Sequence, residues 1–400
     1  MPPNTAQHLR VAEGLGERAA TPKRAVPAMQ TTWPHMLWPR PAAVAPLVFP
    51  FEQPGLRYRY FCRNAVWDAV QMLGLAGKKV LMPAYFHGVE LETLLAAGVE
   101  PVFFRVDGQM RADLRDAREK ARGCSALYMI HYAGFPQDMA AARDLASDMG
   151  VPLIEDCALA LLSADGEKPL GSFGDISVFC LYKTIPVPNG GALLARGDYA
   201  KRLETLPPVI APDSASTASH LIGSLLSNLE LRSGEVGRRA RQTIREAGNW
   251  VLRRGKVERV STGTQHFNQD DVGLGMSAAS HVVLRNQDFA GIVARRRRNY
   301  FLLYAMLRDV APPVTGELTP GVSPLFYPVR MRNKAAAMAR MLSRGVETVD
   351  FWRVRHPRVA VGEFPEVDEL RETVLELPVH QDMSPADAEH VATCVRELLK

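Results

Sequence analysis

The amino-acid sequence predicts an α/β protein with a mostly parallel central sheet, followed by a smaller C-terminal α+β domain. The first observation is that short apolar runs alternate with segments whose apolar residues recur at helical spacing. The apolar runs lie at residues 80–82, 101–106, 126–130 and 151–154, and the helical segments between them include residues 89–97 and 139–149. Such alternation is typical of βαβ units. The second observation is a length of 400 residues that are 47% hydrophobic, which leaves room for one large and one smaller domain.

Composition narrows the classes of function. The formal net charge is +5, and its densest cationic run, residues 295–298, favours a solvated or interface face of a helix over a nucleic-acid patch. The five cysteines are scattered without a CxxC pair, which fits a reducing compartment and argues against a disulfide framework or a zinc site. The sequence contains no long apolar stretch and no secretory pattern at its start. We therefore expect a cytoplasmic protein without a metal, nucleic-acid or membrane partner.

The chain is expected to divide into three parts. Residues 1–45 are rich in Pro and Ala without sustained periodicity, which predicts a flexible N-terminal arm that becomes ordered near Trp33 to Pro50. Residues 46–255 are expected to form the large domain, with a helical linker at about 200–260. Residues 256–400 are expected to form the small domain.

The first helix of the large domain is predicted to follow Asn64 and to close at Gly74 and Gly77. Asn64 occupies the expected N-cap position, and the cationic Arg63 precedes it. A helix N-terminus beside a cation is a candidate phosphate site. The alternative is an asparagine that caps only its own helix.

The C-terminal part shows the pattern of a small α+β domain. The predicted elements are a long helix at 277–307, a strand at 325–329, a helix at 334–343, a strand at 375–379 and a closing helix from Pro385. Ser384 and Asp387 have the [ST]-x-x-[DE] spacing of a capping box at the start of that last helix.

The stretch from residue 151 to 194 carries the strongest chemical signal. Its first apolar strand ends in Asp156, and Lys183 follows a later apolar strand, just before a Pro/Asn/Gly loop. A lysine can form an imine with pyridoxal 5'-phosphate (PLP), and an acid can keep the pyridine nitrogen protonated. Open α/β sheets bind ligands beyond the carboxyl ends of their strands, where His87 and His131 are also expected. The alternatives are that Asp156 caps a helix and that each histidine is a hydrogen-bonded loop residue.

Ordered motifs over roughly residues 55–400 resemble those of the DegT/DnrJ/EryC1/StrS family of PLP-dependent enzymes. The motifs are Gly77-x-x-Val80-Leu81-x-Pro83, Gly98-x-x-Pro101-Val102-Phe103, His131-Tyr132-x-Gly134, Ile154-Glu155-Asp156-Cys157-Ala158, Gly171-Ser172-Phe173-Gly174-Asp175, Lys183 and Gly190-Gly191. The resemblance implies the PLP-dependent transferase fold of type I, with PLP as the cofactor. It also implies a homodimer, since sites of this fold type usually lie at a subunit interface.

The resemblance assigns roles to particular residues. Lys183 would form the internal aldimine with PLP, and Asp156 would pair with the pyridine nitrogen. His87 falls where the family usually places an aromatic side chain stacked on the cofactor ring. Arg63 and Asn64 fall at the turn whose backbone holds the phosphate.

The chain departs from the family pattern at several of these positions. Cys180 stands where the family has a hydroxyl residue near the phosphate, with Ser177 as the alternative. Leu159 replaces a Gln or His near the ring. Asn268 is a candidate for the side chain that reaches into the partner subunit's site.

The predicted activity is that of an aminotransferase. It would move an amino group from a small-molecule donor to a keto acceptor, which in the resembled family is often a nucleotide-linked keto sugar. Two alternatives stay open at this point: another PLP-dependent reaction such as dehydration, and a catalytically degenerate PLP-fold protein with a binding or regulatory role.

Overall fold

A seven-stranded sheet forms the centre of the large N-terminal part. The structure, a computed structural model, describes residues 25–38, 47–233, 267–350 and 352–400, together with Gly237, Arg239 and Thr243. The strands are β1 Leu56–Arg59, β2 Lys79–Pro83, β3 Glu100–Phe104, β4 Cys124–Ile130, β5 Leu153–Cys157, the short hairpin β6 Ala164–Asp165 and β7 Lys168–Pro169, β8 Ile176–Cys180, β9 Gly191–Ala195, β10 Phe326–Arg330 and β11 Val374–Pro378.

The described helices surround this sheet and build the C-terminal part. They are α1 Cys62–Leu73, α2 Val89–Ala96, α3 Leu114–Lys120, α4 Met139–Met149, α5 Asp198–Arg202, α6 Ser214–Ser233, α7 Ala278–Arg285, α8 Phe289–Leu307, α9 Lys334–Ser343, α10 Pro365–Thr373 and α11 Pro385–Leu398. Among the described residues, no helix combines the length and apolar character needed to span a bilayer.

The order of the large sheet is β1-β9-β8-β5-β4-β2-β3. The five strands from β8 to β3 are parallel to their neighbours, whereas β9 runs antiparallel to both β8 and β1. The predicted α/β fold with a mostly parallel sheet is therefore confirmed.

Helices cover both faces of the sheet because alternate residues of each strand point in opposite directions. On β2, Val80 and Met82 belong to the hydrophobic cluster that includes α1 and α2. Leu81 between them belongs to the cluster that includes α3 and α4. Strands buried on both sides are apolar throughout, as the sequence pattern indicated.

The C-terminal part has its own hydrophobic cluster around the antiparallel pair of β10 and β11. The Ser384–Asp387 capping box at the start of α11 is present, as predicted. The prediction of one helix at 277–307 is wrong. The chain forms α7 and α8, and the side chain of Asp288 caps α8 by accepting a hydrogen bond from Gly291 N.

Residues 25–38, within the predicted arm, pack on the body of the protein. Val26 is buried and bridges to Val346, and the hydroxyl of Thr32 donates to Pro186 O at 2.7 Å. The remainder of the predicted arm, and most of the predicted linker beyond Ser233, lie outside the described residues.

Candidate active site

A pocket at the carboxyl ends of the parallel strands contains five of the six predicted site residues. Arg63, His87, Asp156, Cys180 and Lys183 all line it, and Asn64 does not. The pocket encloses about 540 Å³ of empty space including its open mouth.

Strand pairing brings the acid and the lysine together. β5 and β8 are parallel, with Asp156 opposite Val178, so the two strands end side by side. The chain then turns sharply, since Thr184 N and Ile185 N both donate to Leu181 O. This turn places Lys183 in the pocket that Asp156 lines.

Asp156 is a buried carboxylate with only partial hydrogen bonding from the protein. Tyr128 OH donates to its Oδ2 at 2.5 Å, and Ala158 N donates to its Oδ1 at 2.8 Å. Burial, followed by the negative charge of Glu90, raises the pKa of Asp156 to about 6. A cationic partner would favour the ionised form. The protonated pyridine nitrogen of PLP is such a partner, so this side chain fits that cofactor.

Glu155, the adjacent residue on β5, points to the opposite face and has a structural role. Its carboxylate accepts hydrogen bonds from three backbone N–H groups of the loop after β7, those of Gly171, Phe173 and Gly174. His131 Nε2 lies 3.0 Å from its Oε1. His131 is therefore a hydrogen-bonded buried histidine, which was the alternative interpretation of the sequence.

His87 lies at the pocket wall just before α2. Burial, together with the positive charges of Lys183 and Arg371, lowers its pKa to about 3, so its ring is neutral near pH 7. Its backbone N–H donates to Glu90 Oε1 at 2.7 Å. A flat, neutral ring at this place could stack on a cofactor ring.

The helix cap predicted at Asn64 is wrong. Helix α1 begins at Cys62, and Asn64 is its third residue. The side chain of Asn64 accepts from Phe61 N at 3.1 Å and donates to Asp271 O at 2.5 Å, which leaves it occupied within the protein. Cys62 and Arg63 line the pocket at the start of the helix instead.

The guanidinium of Arg63 lies 4.1 Å from the ring centroid of Phe61. Burial lowers the pKa of Arg63, and the nearby Tyr182 and Asp271 oppose that effect. An arginine beside exposed helix N–H groups is a suitable phosphate ligand.

Strand alternation places Cys180 and Ser177 on opposite faces of β8. Cys180 lines the pocket. Ser177 lies on the other face of β8, where its hydroxyl donates to Gly171 O at 2.8 Å. Burial raises the pKa of the Cys180 thiol, and also raises that of Cys62, so both are neutral thiols.

A glycine allows α1 to approach this end of the sheet. Gly191 pairs with Cys180, and a Cβ atom at Gly191 would lie only 2.2 Å from the carbonyl carbon of Phe61. Any side chain at this position would push the start of α1 away from β9. The glycine therefore keeps Cys62 and Cys180 in one pocket.

Four pocket or pocket-supporting residues were missed from the sequence: Glu90, Tyr128, Trp352 and Arg371. Tyr128 could have been found, since it shares a strand face with Ile130, which lines the pocket. Trp352 and Arg371 come from the C-terminal part, and no local pattern indicates them. Leu159, three residues after Asp156, also lines the pocket.

Asn268 is exposed at the surface. Its side chain accepts a hydrogen bond from Asp270 N and so caps the short helix at Gln269–Asp271.

Comparison with known proteins places the fold in one structural class. An aminotransferase TlmJ from Streptoalloteichus hindustanus matches with a TM-score of 0.60 and 25% identity, over 86% of this chain and 85% of that one. PseC of Helicobacter pylori, an aminotransferase of pseudaminic acid biosynthesis, has a TM-score of 0.64 at 14% identity, over 86% of both chains. The chain has the fold of these PLP-type aminotransferases.

Sequence comparison finds relatives for part of the chain. Residues 62–206 match the model of the DegT/DnrJ/EryC1/StrS aminotransferase family. A GDP-perosamine synthase of Vibrio cholerae is 32% identical over 135 residues, 32% of this chain and 37% of that protein. An L-glutamine:2-deoxy-scyllo-inosose aminotransferase of Streptomyces lividus is 29% identical over 211 residues, 44% of this chain and 49% of that protein. The matches thus span about a third to a half of these relatives.

Proposed function

We propose that this protein is a PLP-dependent aminotransferase that aminates a keto acceptor, with nucleotide-linked keto sugars as the leading class. The observation that carries the proposal is the placing of Lys183 and the under-bonded carboxylate of Asp156 in one buried pocket. The relatives that act on sugars or cyclitols support the acceptor class.

When bound, PLP would supply an aldehyde for the lysine and a ring that withdraws electrons from the substrate. Arg63 and the N–H groups at the start of α1 would bind its phosphate. The neutral His87 ring would lie against the cofactor ring. Asp156 would hold a proton on the pyridine nitrogen, because its own charge becomes favourable beside that cation.

Lys183 would act at two stages. Its Nζ would first hold the cofactor, and an incoming amino donor would then release it. The released amine of Lys183 would next take a proton from the donor's α-carbon and return it on the cofactor side. Trp352 and Leu159 would exclude water from this side of the pocket.

A cytoplasmic homodimer is part of this proposal. Helix α6 supports the dimer, since its buried residues are polar while Ile222 and Leu229 are exposed. Asn268, exposed just before the short helix at Gln269–Asp271, remains the candidate that would reach into the partner's site.

The test is a spectral titration of the purified protein with PLP, followed by a panel of amino donors. We expect the visible absorbance band of a lysine-bound cofactor, which a productive donor then bleaches. The Lys183→Ala variant should lack the band, and Lys201→Ala, a change at an exposed lysine, should retain it. A wild-type protein that stays colourless with excess PLP would overturn the proposal.

A further inference from the structure

Trp352 stands between two cavities. It lines the main pocket together with Lys183, and with Leu159 it also lines a second, smaller cavity behind that pocket. The indole is 4% exposed. It packs edge-on against Tyr85 at 4.5 Å and Tyr132 at 5.3 Å between ring centroids. These contacts hold the Trp352 side chain in place between the two cavities.

The backbone of Trp352 is held in an unfavourable conformation. Its φ is 59°, in the left-handed region that a bulky residue rarely adopts. Strain of this kind persists only where surrounding contacts impose it, and it is frequent at functional sites. The contacts around Trp352 therefore offset the cost of this backbone conformation and fix the orientation of the indole.

Arg371 supplies the contacts that impose this conformation. One guanidinium nitrogen donates to Trp352 O at 2.5 Å and to Phe86 O at 3.2 Å, and the other donates to Ala84 O at 3.3 Å. Arg371 lies on α10, and Ala84 to Phe86 directly precede His87. The side chain is 3% exposed and bonds carbonyl oxygens from both walls of the pocket. It therefore sets the distance between the His87 wall and the Trp352 wall.

The charges around the pocket limit what can lie against Trp352. The pocket lining also includes the apolar Leu159 and Val89. The charged Arg63, Asp156 and Lys183 are assigned to the cofactor in the proposed function. Glu90 is the remaining charged residue that lines the pocket in the described part of the chain, so the part of the acceptor that lies against Trp352 should be uncharged.

We propose that Trp352 determines acceptor specificity by offering its indole face to a compact, uncharged ring and by closing the second cavity to larger groups. Arg371 is the positioning residue that holds Trp352 in place. This inference rests on the proposed function and adds to it the part of the acceptor that contacts Trp352, an uncharged ring such as that of the keto sugar.

The residues of the second cavity indicate which groups the pocket would admit if Trp352 were truncated. The second cavity is lined by Tyr85, Phe326 and Glu376. The buried hydroxyl of Tyr85 has no hydrogen-bond partner among the described residues. Truncating Trp352 should join the two cavities into one longer pocket.

The experiment uses stable reduced adducts of PLP with amines, which bind without reacting. The probes are the phosphopyridoxyl derivatives of methylamine, cyclohexylamine and 4-phenylcyclohexylamine, titrated calorimetrically into the full chain freed of cofactor. The wild type should bind the cyclohexyl adduct about tenfold more tightly than the methyl adduct, because the ring buries apolar area on Trp352. The wild type should bind the phenylcyclohexyl adduct no more tightly than the cyclohexyl adduct.

The variants then separate selectivity from general damage. Trp352→Ala should lose the tenfold preference and bind the phenylcyclohexyl adduct about tenfold more tightly than the wild type does. Trp352→Phe should keep part of the preference. Arg371→Lys should reduce the preference for the cyclohexyl over the methyl adduct about threefold, since a lysine cannot bond the carbonyl oxygens of both walls at once. Arg330→Lys is the matched control: Arg330 also bonds a carbonyl across the two parts of the chain, that of Gly108, but away from Trp352.

The outcomes distinguish the two proposals. An equal cyclohexyl-to-methyl ratio in the wild type and Trp352→Ala would overturn this inference and leave the proposed function standing. A wild type that fails to bind even the methyl adduct would overturn both. A uniform loss of affinity for all three adducts in Arg371→Lys would show a merely structural role for Arg371 and contradict its assignment as a positioning residue.

Discussion

Glu155 and Asp156 are adjacent carboxylic acids and both are buried, yet their surroundings shift their pKa values in opposite directions. Glu155 accepts hydrogen bonds from three backbone N–H groups and lies beside His131. Although burial opposes it, these bonds lower the pKa of Glu155. Asp156 receives two hydrogen bonds, and burial and Glu90 raise its pKa to about 6.

The difference shows how one strand can serve structure on one face and chemistry on the other. A carboxylate whose hydrogen-bonding capacity is filled stabilises the fold and has no capacity left for a ligand. A buried carboxylate that is only partly bonded destabilises the empty protein when it is ionised, and a cation can relieve that cost.

The largest expected effect is on the structural carboxylate. Glu155→Gln places an NH₂ group against backbone N–H donors, so it should lower the free energy of unfolding by about 3–5 kcal/mol. Urea denaturation at pH 7 measures this. Glu167→Gln, the same change at an exposed position, should stay within about 0.5 kcal/mol of the wild type. If both substitutions lowered the free energy of unfolding equally, the structural role assigned to Glu155 would be wrong.

The next effect is a pH dependence of stability from Asp156. Its pKa is higher in the folded protein, at about 6, than the reference value of 3.8, so the folded state binds the proton more strongly. Asp156 should therefore destabilise the cofactor-free protein increasingly as pH rises from 4 to 6. Asp156→Asn lacks this titration. Its stability relative to the wild type should rise by on the order of 3 kcal/mol between pH 4 and 7.

Denaturation curves of both cofactor-free proteins across that range measure the difference. Glu155 should act in the opposite direction, since its lowered pKa adds stability above its reference value of 4.5 and loses it as pH falls. A flat difference between Asp156→Asn and the wild type would contradict the assigned environment of Asp156.

A smaller effect is expected at the tyrosine that supports Asp156. Tyr128→Phe removes the 2.5 Å bond to Oδ2 and should cost about 1.5 kcal/mol at pH 7. Because that bond lowers the pKa of Asp156, the cost should shrink at pH 5, where the acid is largely protonated. Thermal melts at both pH values test this, with Tyr304→Phe, which removes a surface hydrogen bond to Glu317, as the control. A cost that does not change with pH would mean that Tyr128 does not stabilise the ionised acid.

The smallest effect concerns Cys180. A serine hydroxyl is a stronger donor than a thiol, so Cys180→Ser should tighten PLP binding severalfold with a change in stability below about 1 kcal/mol. The dissociation constant from absorbance titration measures it. Ser177→Ala should leave that constant nearly unchanged, because its hydroxyl lies on the other face of β8. An unchanged constant in Cys180→Ser would place the phosphate elsewhere.

Local sequence patterns determined much of this molecule. Apolar alternation predicted the parallel strands, because a strand buried on both faces must be apolar throughout. The same alternation placed Asp156 at a strand end and Lys183 just beyond a neighbouring strand. The capping box at Ser384 was predictable because both partners lie within one helical turn. Each of these features depends on residues close together in the chain.

Tertiary structure decided what depends on distant partners. Asn64 is turned away from the pocket because Asp271, 207 residues later, accepts its amide hydrogen bond. Trp352 and Arg371 reach the pocket only because the C-terminal part folds against the ends of the sheet. The pKa difference between Glu155 and Asp156 follows from which loop packs on which face of β5. Sequence alone determined which groups could carry the chemistry, and long-range packing decided which of them have a free face to do so.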